Sequence, residues 1–185
     1  MPDLTAQEFT WDDHFWVATV RLASWQGFQS RHGDYASQDT SEPSDGTVKI
    51  VISPEGRDKA PLSEPEIELA RWAIAHEREM QVSALAALLP HYAALRPEYA
   101  EFIEDPLLMP PVVEAEGFKS LIGLHSVNIH QVEKDGRPYV GLEFGCTWDD
   151  EHGLGALMHG TRVVEIGGAD TAITLWIAER DASQT

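Results

Sequence analysis

SLIGLHSVNIHQVEKDGRPYVGLEFGC, residues 120–146, contains the clearest β-hairpin signal in the chain. Asp135-Gly136 is typical of a two-residue hairpin turn, and apolar and polar residues alternate on both sides of it. With these two residues as the loop, three pairs are predicted on an apolar face: Ile129 with Leu142, Val127 with Phe144, and His125 with Cys146. The opposite face places Asn128 across from Glu143 and is polar and partly bare. This pattern predicts an antiparallel sheet that is covered on one face.

Further strands are predicted on both sides of this hairpin. Residues 15–22 and 47–53 are rich in β-branched side chains with a period near two, which is typical of strands. Residues 25–30 are expected to continue or to pair with the first of them. Residues 154–159 and 162–166 are predicted to form a second hairpin.

The strongest helix signal covers residues 63–89. Ser63 and Glu66 have the spacing of a capping box, and apolar residues follow at helical period. The helix is predicted to end before Pro90, because a proline disfavours helical backbone at the residue that precedes it. A shorter helix is expected over residues 91–102.

The remaining segments are interpreted mainly as connections between the strands and helices. Residues 31–46 and 105–117 are rich in breakers and are interpreted as loops. Residues 171–177 could form a last strand or a short helix with Asp170 as its N-cap. We therefore predict a single α+β domain over residues 1–185, with an antiparallel sheet of about six strands and one long helix packed on its apolar face.

Composition restricts the partners of the chain. Its 31 acids and 13 bases give a net charge of -18, which argues against nucleic acid and anionic membranes and suits a basic protein partner or a cation. Solubility alone is the simpler interpretation of this charge. One cysteine fits a reducing compartment. The acidic N-terminus does not resemble a signal peptide, and the longest apolar run, residues 84–89, is too short to cross a membrane. A cytoplasmic location is expected.

The sharpest candidate site is the acidic turn, residues 149–153, with the sequence DDEHG. Adjacent carboxylates repel one another, so they are retained in water, around a cation, against a basic partner or beside backbone donors. Ca²⁺ or Mg²⁺ would suit these oxygen ligands, although the spacing does not match an EF-hand. A solvated turn in which one acid caps backbone N–H groups and the glycines adopt positive φ is the simplest interpretation. The candidate binding residues are Trp148, Asp149, Asp150, Glu151, His152, Gly153 and Asp170.

A cysteine nucleophile is the second candidate. Cys146 could be activated by His125 or His152, with Glu143 or Asp149 to orient the base. The predicted pairing places His125 across from it, but on an apolar face, where a cysteine usually packs as a small inert side chain. The predicted apolar environment therefore favours a structural role for Cys146 over a catalytic one.

A family resemblance rests on the same region. Residues 146–155, CTWDDEHGLG, followed by VEIGGAD at 164–170, resemble the G-C-T-W-D-x-E-H-G-L-G signature of an uncharacterised bacterial family, catalogued as a domain of unknown function. WQGFQSR at 25–31 and SDGTV at 44–48 are also similar. The resemblance implies a cytoplasmic domain with no assigned reaction and a likeness to immunity-type, partner-binding proteins.

These observations predict a non-catalytic, immunity-like protein-binding module that uses the acidic turn. The alternative is a metal-assisted or cysteine-dependent hydrolase with its site at residues 146–152. A structural domain without a small-molecule site is a third possibility. The glycine pairs at 153–155 and 167–168 do not match a phosphate-binding loop, so no cofactor is expected.

Overall fold

The computed structural model describes residues 4–33, 38–53, 56, 59–99, 101–103 and 105–184. The strands within these residues are β1 (Thr10–Asp12), β2 (Phe15–Arg21), β3 (Gln29–His32), β4 (Gln38–Pro43), β5 (Thr47–Ile52), β6 (Ile122–Lys134), β7 (Arg137–Cys146), β8 (Leu154–His159) and β9 (Arg162–Gly167). The helices are α1 (Glu64–Ala75), α2 (Glu77–Tyr99) and α3 (Leu175–Ala182).

The chain has a mixed α+β fold built around one large sheet. In the part that the structure describes, seven strands form this sheet in the order β1-β2-β5-β6-β7-β8-β9, and β3 and β4 form a separate pair. The sheet is mostly antiparallel, so the predicted class is right in outline. The prediction of a purely antiparallel sheet of about six strands missed the short edge strand β1 and one parallel pair.

The parallel pair consists of β5 and β6, with Lys49 aligned to Ser126. Two parallel neighbours need a long crossover between them, and here that crossover contains α1 and α2. The connection places both helices over one face of the sheet. Their apolar side chains pack there against the inward residues of β5, β6 and β7, as the helical stripe predicted.

The long helix is divided at a different residue from the one predicted. The capping box is confirmed, since Oε2 of Glu66 accepts the backbone N–H of Ser63 at 2.7 Å. The division, however, occurs at His76, whose Nδ1 donates to the carbonyl of Trp72 at 2.8 Å and whose ring stacks on that tryptophan. Pro90 lies inside α2, and the predicted end before it is wrong.

Packing explains why α2 continues through this proline. Buried side chains lie on both sides of it, from Leu88 in the turn before to Tyr92 in the turn after. Burying this stripe offsets the hydrogen bond that a proline removes from the helix. A local rule about proline was therefore overridden by tertiary contacts.

Both predicted hairpins form, but the register of the first differs from the prediction. Asp135 and Gly136 adopt φ values of 54° and 68°, the left-handed conformation that a tight hairpin turn requires. Val127 pairs with Leu142 rather than with Phe144, and Ile122 rather than His125 pairs with Cys146. The irregularity between Ile129 and Glu133 shifts the ladder by two residues, and the one between Leu124 and Ser126 shifts it by one more.

Other connections also differ from the sequence-based expectations. Residues 31–46 were predicted to be a loop, yet 38–43 form β4, which pairs with β3. The segment 25–30 does not extend the main sheet, because a 3-10 turn at Ala23–Trp25 diverts the chain. After β9, a 3-10 turn at Ala169–Ala172 leads into α3, so the helix alternative holds for the tail. Its N-cap is Thr174 rather than Asp170.

The second face of the sheet is partly covered. Helix α3 packs on it at Tyr139 and Leu157, and the turn 169–172 lies against the glycines of β7 and β8. Strand β3 lies against the same face at Gly123 of β6, and parts of β2, β5 and β6 remain open there. None of the helices in the described part of the chain combines the length and apolar character that a bilayer crossing requires.

Candidate functional site

The acidic turn connects β7 to β8 and is held in shape by Asp149. Its Oδ1 accepts the backbone N–H of His152 at 2.9 Å and Nδ1 of the same residue at 3.0 Å. Its Oδ2 accepts the hydroxyl of Tyr99, on α2, at 2.8 Å. One carboxylate therefore closes the turn and fastens it to the end of α2.

The two ends of the turn are also fixed by the backbone. Gly153, at φ 62°, donates its N–H to the carbonyl of Asp149 at 3.0 Å, so a glycine is required there for its positive φ, as predicted. The carbonyl of His152 accepts the N–H of Ala169 at 2.9 Å. This bond joins the acidic turn to the 3-10 turn that follows β9.

Hydrogen bonds determine the charge state of Asp149. Partial burial acts to raise its pKa, but donation from the His152 backbone, the Tyr99 hydroxyl and the His152 ring together lower the pKa below its ordinary value. In the same contact, burial and the hydrogen bond to Asp149 raise the pKa of Tyr99 to about 12. At neutral pH the carboxylate is thus ionised and the phenol is protonated.

The neighbouring acids point outward. Asp150 and Glu151 are exposed, and the side chain of His152 is 74% exposed. Asp149, at 14%, is the inward member of the cluster. The three predicted acids therefore divide into one residue that shapes the turn and two that face solvent.

A groove of 810 Å³ lies beside the turn. The end of α2 forms one wall, and the turn and residues 167–173 form the others. Its acidic lining residues are Glu143, Asp149, Glu151 and Asp170, and none of the described side chains that line it is a lysine or an arginine. The groove is thus an anionic surface.

The remaining predicted binding residues have different environments. Asp170 is exposed and lines the groove. Trp148 also lines it, but is only 6% exposed and packs edge-on against Tyr92 at 5.0 Å between ring centroids. Most of the surface of this tryptophan belongs to the core.

One wall of the groove was missed by the sequence reasoning. His91, Leu95 and Tyr99 line it at intervals of four residues, which places them on one side of α2. The predicted helix end at Pro90 separated this segment from the long helix. The helical spacing itself was a signal that could have identified the wall.

Cys146 lies directly beneath the turn and is fully buried. Its Sγ donates to the carbonyl of Asp149 at 3.3 Å, and burial raises the pKa of the thiol to about 12. His125 is not its partner, because the shifted register places the histidine on the opposite face of the sheet, among the lining residues of a second cavity. The thiol therefore lacks the thiolate character that a nucleophile needs.

The acidic residues also do not converge on a single point. Among the described residues, no group of three His, Cys, Asp or Glu side chains has a geometry that could hold a metal ion. The turn and groove instead present separate carboxylates along a surface.

Comparison with known proteins identifies the family. No curated protein and no solved structure matches the chain. The sequence profile that does match covers residues 25–173, which include the strands β3 to β9, both long helices, the acidic turn and the groove. The chain therefore belongs to the family described as Domain of unknown function (DUF6985).

Proposed function

We propose that the chain is a protein-binding module of the immunity-like kind, which receives a basic segment of a partner protein at the acidic turn and groove. The observation that supports this function is the charge of the groove. Four acids line it, and its described lining includes no lysine or arginine. A surface of one sign favours a partner of the opposite sign.

The net charge of -18 acts in the same direction. An excess of one charge over the surface attracts an oppositely charged partner and increases the rate of encounter. The acids that contact the partner are Asp150 and Glu151, since both are exposed and make no hydrogen bond with the described residues. Asp149 acts indirectly, by fixing the turn.

Rigid geometry adds to the charge. The turn is connected to α2 by Tyr99 and to the segment after β9 by the carbonyl of His152. A preformed surface loses less conformational entropy on binding than a mobile loop does. The groove is therefore suited to selecting a partner by the spacing of its cationic side chains.

A charge-matched pair of double variants tests this proposal. The first is Asp150→Lys/Glu151→Lys, and the control is Glu79→Lys/Glu133→Lys, which alters two exposed acids outside the groove lining. The probe is a fluorescein-labelled decalysine peptide, with fluorescence anisotropy measured at physiological salt. Both variants have the same net charge, so a difference between them reports the location of binding.

The turn variant is expected to weaken binding about tenfold or more, as reversal of two contacting charges predicts. The control is expected to change affinity by no more than about threefold, because distant charges are screened at this ionic strength. Equal losses in the two variants would show that the peptide responds only to net charge, and the proposed contact would then be wrong.

A further inference from the structure

A second cavity, with a volume of 330 Å³, lies on the face of the sheet opposite α1 and α2. Its floor is formed by β2, β5, β6 and β7, and the strand register arranges its side chains in two rows. Glu143 and Ile173 separate it from the acidic groove, since both residues line both spaces. Apart from Glu143, none of the charged groups of this cavity belongs to the function proposed above.

The first row contains opposite charges. Lys49 is paired with Ser126, and Ser126 is paired with Glu143, so the three side chains emerge from neighbouring strands on one face. Adjacent strands are about 4.8 Å apart, which places the backbones of Lys49 and Glu143 about 10 Å from each other. A cation and a carboxylate therefore flank a hydroxyl on the cavity floor.

These charged groups are available to a ligand. Oγ of Ser126 donates to Oε2 of Glu143 at 2.5 Å, and no other donor in the described residues reaches that carboxylate. Lys49 is exposed and has no carboxylate within ion-pair distance in the same part of the chain. Nδ2 of Asn128 donates to the Ser126 hydroxyl at 2.9 Å and thereby directs its proton toward Glu143.

The second row is apolar. Val17 is paired with Val51, and Val51 is paired with Asn128, so two valines cover the floor beside the charged row. Phe15 and Ile173 form side walls, with 42% and 55% of their surfaces exposed. Exposed apolar walls around a few oriented polar groups are typical of small-ligand sites.

Two histidines, His125 and His130, line the cavity, and His125 does not add a second cation. The bulge after Leu124 turns His125 and Ser126 to this face, and burial lowers the pKa of His125, with Lys49 acting in the same direction and Glu143 in the opposite one. The ring is neutral at pH 7 and can act as a hydrogen-bond partner. The lysine and carboxylate groups in the lining are Lys49, Glu143 and Asp12.

We propose that this cavity binds a small zwitterion with an apolar side chain, of the size and chemistry of a free amino acid such as leucine. Its carboxylate meets Lys49, its ammonium group meets Glu143, and its side chain lies over the two valines. A ligand with only one of the two charges leaves the other protein charge without a partner, which reduces its affinity. The volume is at the small end of the ~300–1,000 Å³ range of ligand sites, which favours a ligand of this size over a nucleotide.

Three ligands of nearly equal shape separate the contributions of the two charges: leucine, isoamylamine, which lacks the carboxylate, and 4-methylpentanoate, which lacks the ammonium group. Calorimetric titration of the full chain up to about 10 mM detects even a Kd near 1 mM. Leucine is expected to bind at least about tenfold more tightly than either analogue. No detectable binding of leucine, or equal binding of an analogue, would overturn the proposal.

Two variants and a control assign the contacts. Lys49→Gln is expected to weaken the binding of leucine about tenfold and to leave the affinity for isoamylamine unchanged. Glu143→Gln is expected to weaken the binding of leucine and to leave the affinity for 4-methylpentanoate unchanged. Lys119→Gln, outside the cavity lining, is the matched control for loss of a positive charge. Lys49 does not line the acidic groove, so its effect is independent of the partner-binding proposal. Unchanged leucine affinity in Lys49→Gln would refute the site.

Discussion

Asp149 shows how one residue in a run of acids differs from its neighbours. Its carboxylate accepts three hydrogen bonds, from two groups of His152 and from Tyr99, whereas Asp150 beside it is exposed. A carboxylate with several donors is stabilised in its ionised form, and each such bond contributes more than a neutral one. The shape of the acidic turn therefore depends on this residue.

Replacement of Asp149 by asparagine is expected to destabilise the chain by about 2 kcal/mol at pH 7. The amide removes the negative charge and presents an NH₂ group to donors that need an acceptor. Urea unfolding followed by circular dichroism measures the change. Asp150→Asn is the control, and its effect is expected to stay within about 0.5 kcal/mol because that side chain is exposed.

The pH dependence of the free energy of unfolding distinguishes this explanation from a simple packing defect. Because the pKa of Asp149 is lowered in the folded chain, its stabilisation is fully present above the ordinary value of 3.8 and is lost as the pH falls through the folded value. The difference between wild type and Asp149→Asn should therefore shrink toward pH 3. A difference that is constant with pH would contradict the charge-based account.

The residue-level prediction from sequence was correct about location and incomplete about partners. Adjacent acids and glycines indicated a shaped turn, and the positive φ of Gly153 is confirmed. Tyr99, which completes the hydrogen bonds of Asp149, is separated from it by 50 residues of chain. No local pattern relates two side chains at that distance, so the contact becomes visible only once α2 is placed on the sheet.

At the level of elements, the 3-10 turn Ala169–Ala172 depends on glycines in the sheet, which leave room for it because they carry no side chain. A Cβ built on Gly141 would overlap the backbone of Ala172, and one on Gly155 would overlap the carbonyl oxygen of Gly168. The turn is further held by His130, whose Nε2 donates to the carbonyl of Ala172 at 2.8 Å. These glycines are therefore required for close approach of two backbone segments.

Gly141→Ala is expected to destabilise the chain by about 3 kcal/mol, because either β7 or the 169–172 turn must move. Gly136→Ala is a suitable comparison. Gly136 lies in open space at φ 68°, so its substitution should cost only about 1–2 kcal/mol of backbone strain. Thermal unfolding of both variants gives the ranking, and an equal or smaller loss for Gly141→Ala would contradict the close-packing explanation.

Elements were predictable where their own residues determine them. The capping box at Ser63, the hairpin turn at Asp135 and the alternation in β5 are local signals, and all three are confirmed. The helix end and the hairpin register were predicted incorrectly because they depend on packing. Continuous burial carries α2 past Pro90, and irregularities between Ile129 and Glu133 and beside Ser126 shift the pairing of β6 with β7.

For the whole molecule, the crossover between β5 and β6 determines which face of the sheet is covered. The sequence predicted a helix between two strands, but not that these strands are parallel neighbours. That pairing leaves an open face for the 330 Å³ cavity and places the end of α2 beside the acidic turn. Both candidate sites are consequences of long-range topology, which periodicity along the chain does not encode.

The core beneath the acidic turn contains two ionisable groups that are buried in their neutral forms. Cys146 and Tyr92 are both fully buried, and burial raises the pKa of the thiol from 9.0 and of the phenol from 10.0, each to about 12. A group whose pKa is raised by folding contributes stability that is fully present below its unfolded value. This stability is lost as the pH rises toward the folded value.

Alkaline titration should therefore destabilise the chain in two successive steps. Between pH 9 and 10 the loss is attributed to Cys146. Above pH 10 Tyr92 adds to it, together with Tyr99 and Tyr139, whose pKa values are also raised by burial. Each group contributes about 1.4 kcal/mol per pH unit, or about 3–5 °C in Tm for a chain of this length. Cys146→Ala is expected to lower Tm at pH 8, because it leaves a small cavity. It should also make the fall of Tm with pH between pH 9 and 10 less steep than in the wild type. Lysine deprotonation affects both proteins equally, so an unchanged slope in the variant would show that the thiol is not the group that titrates.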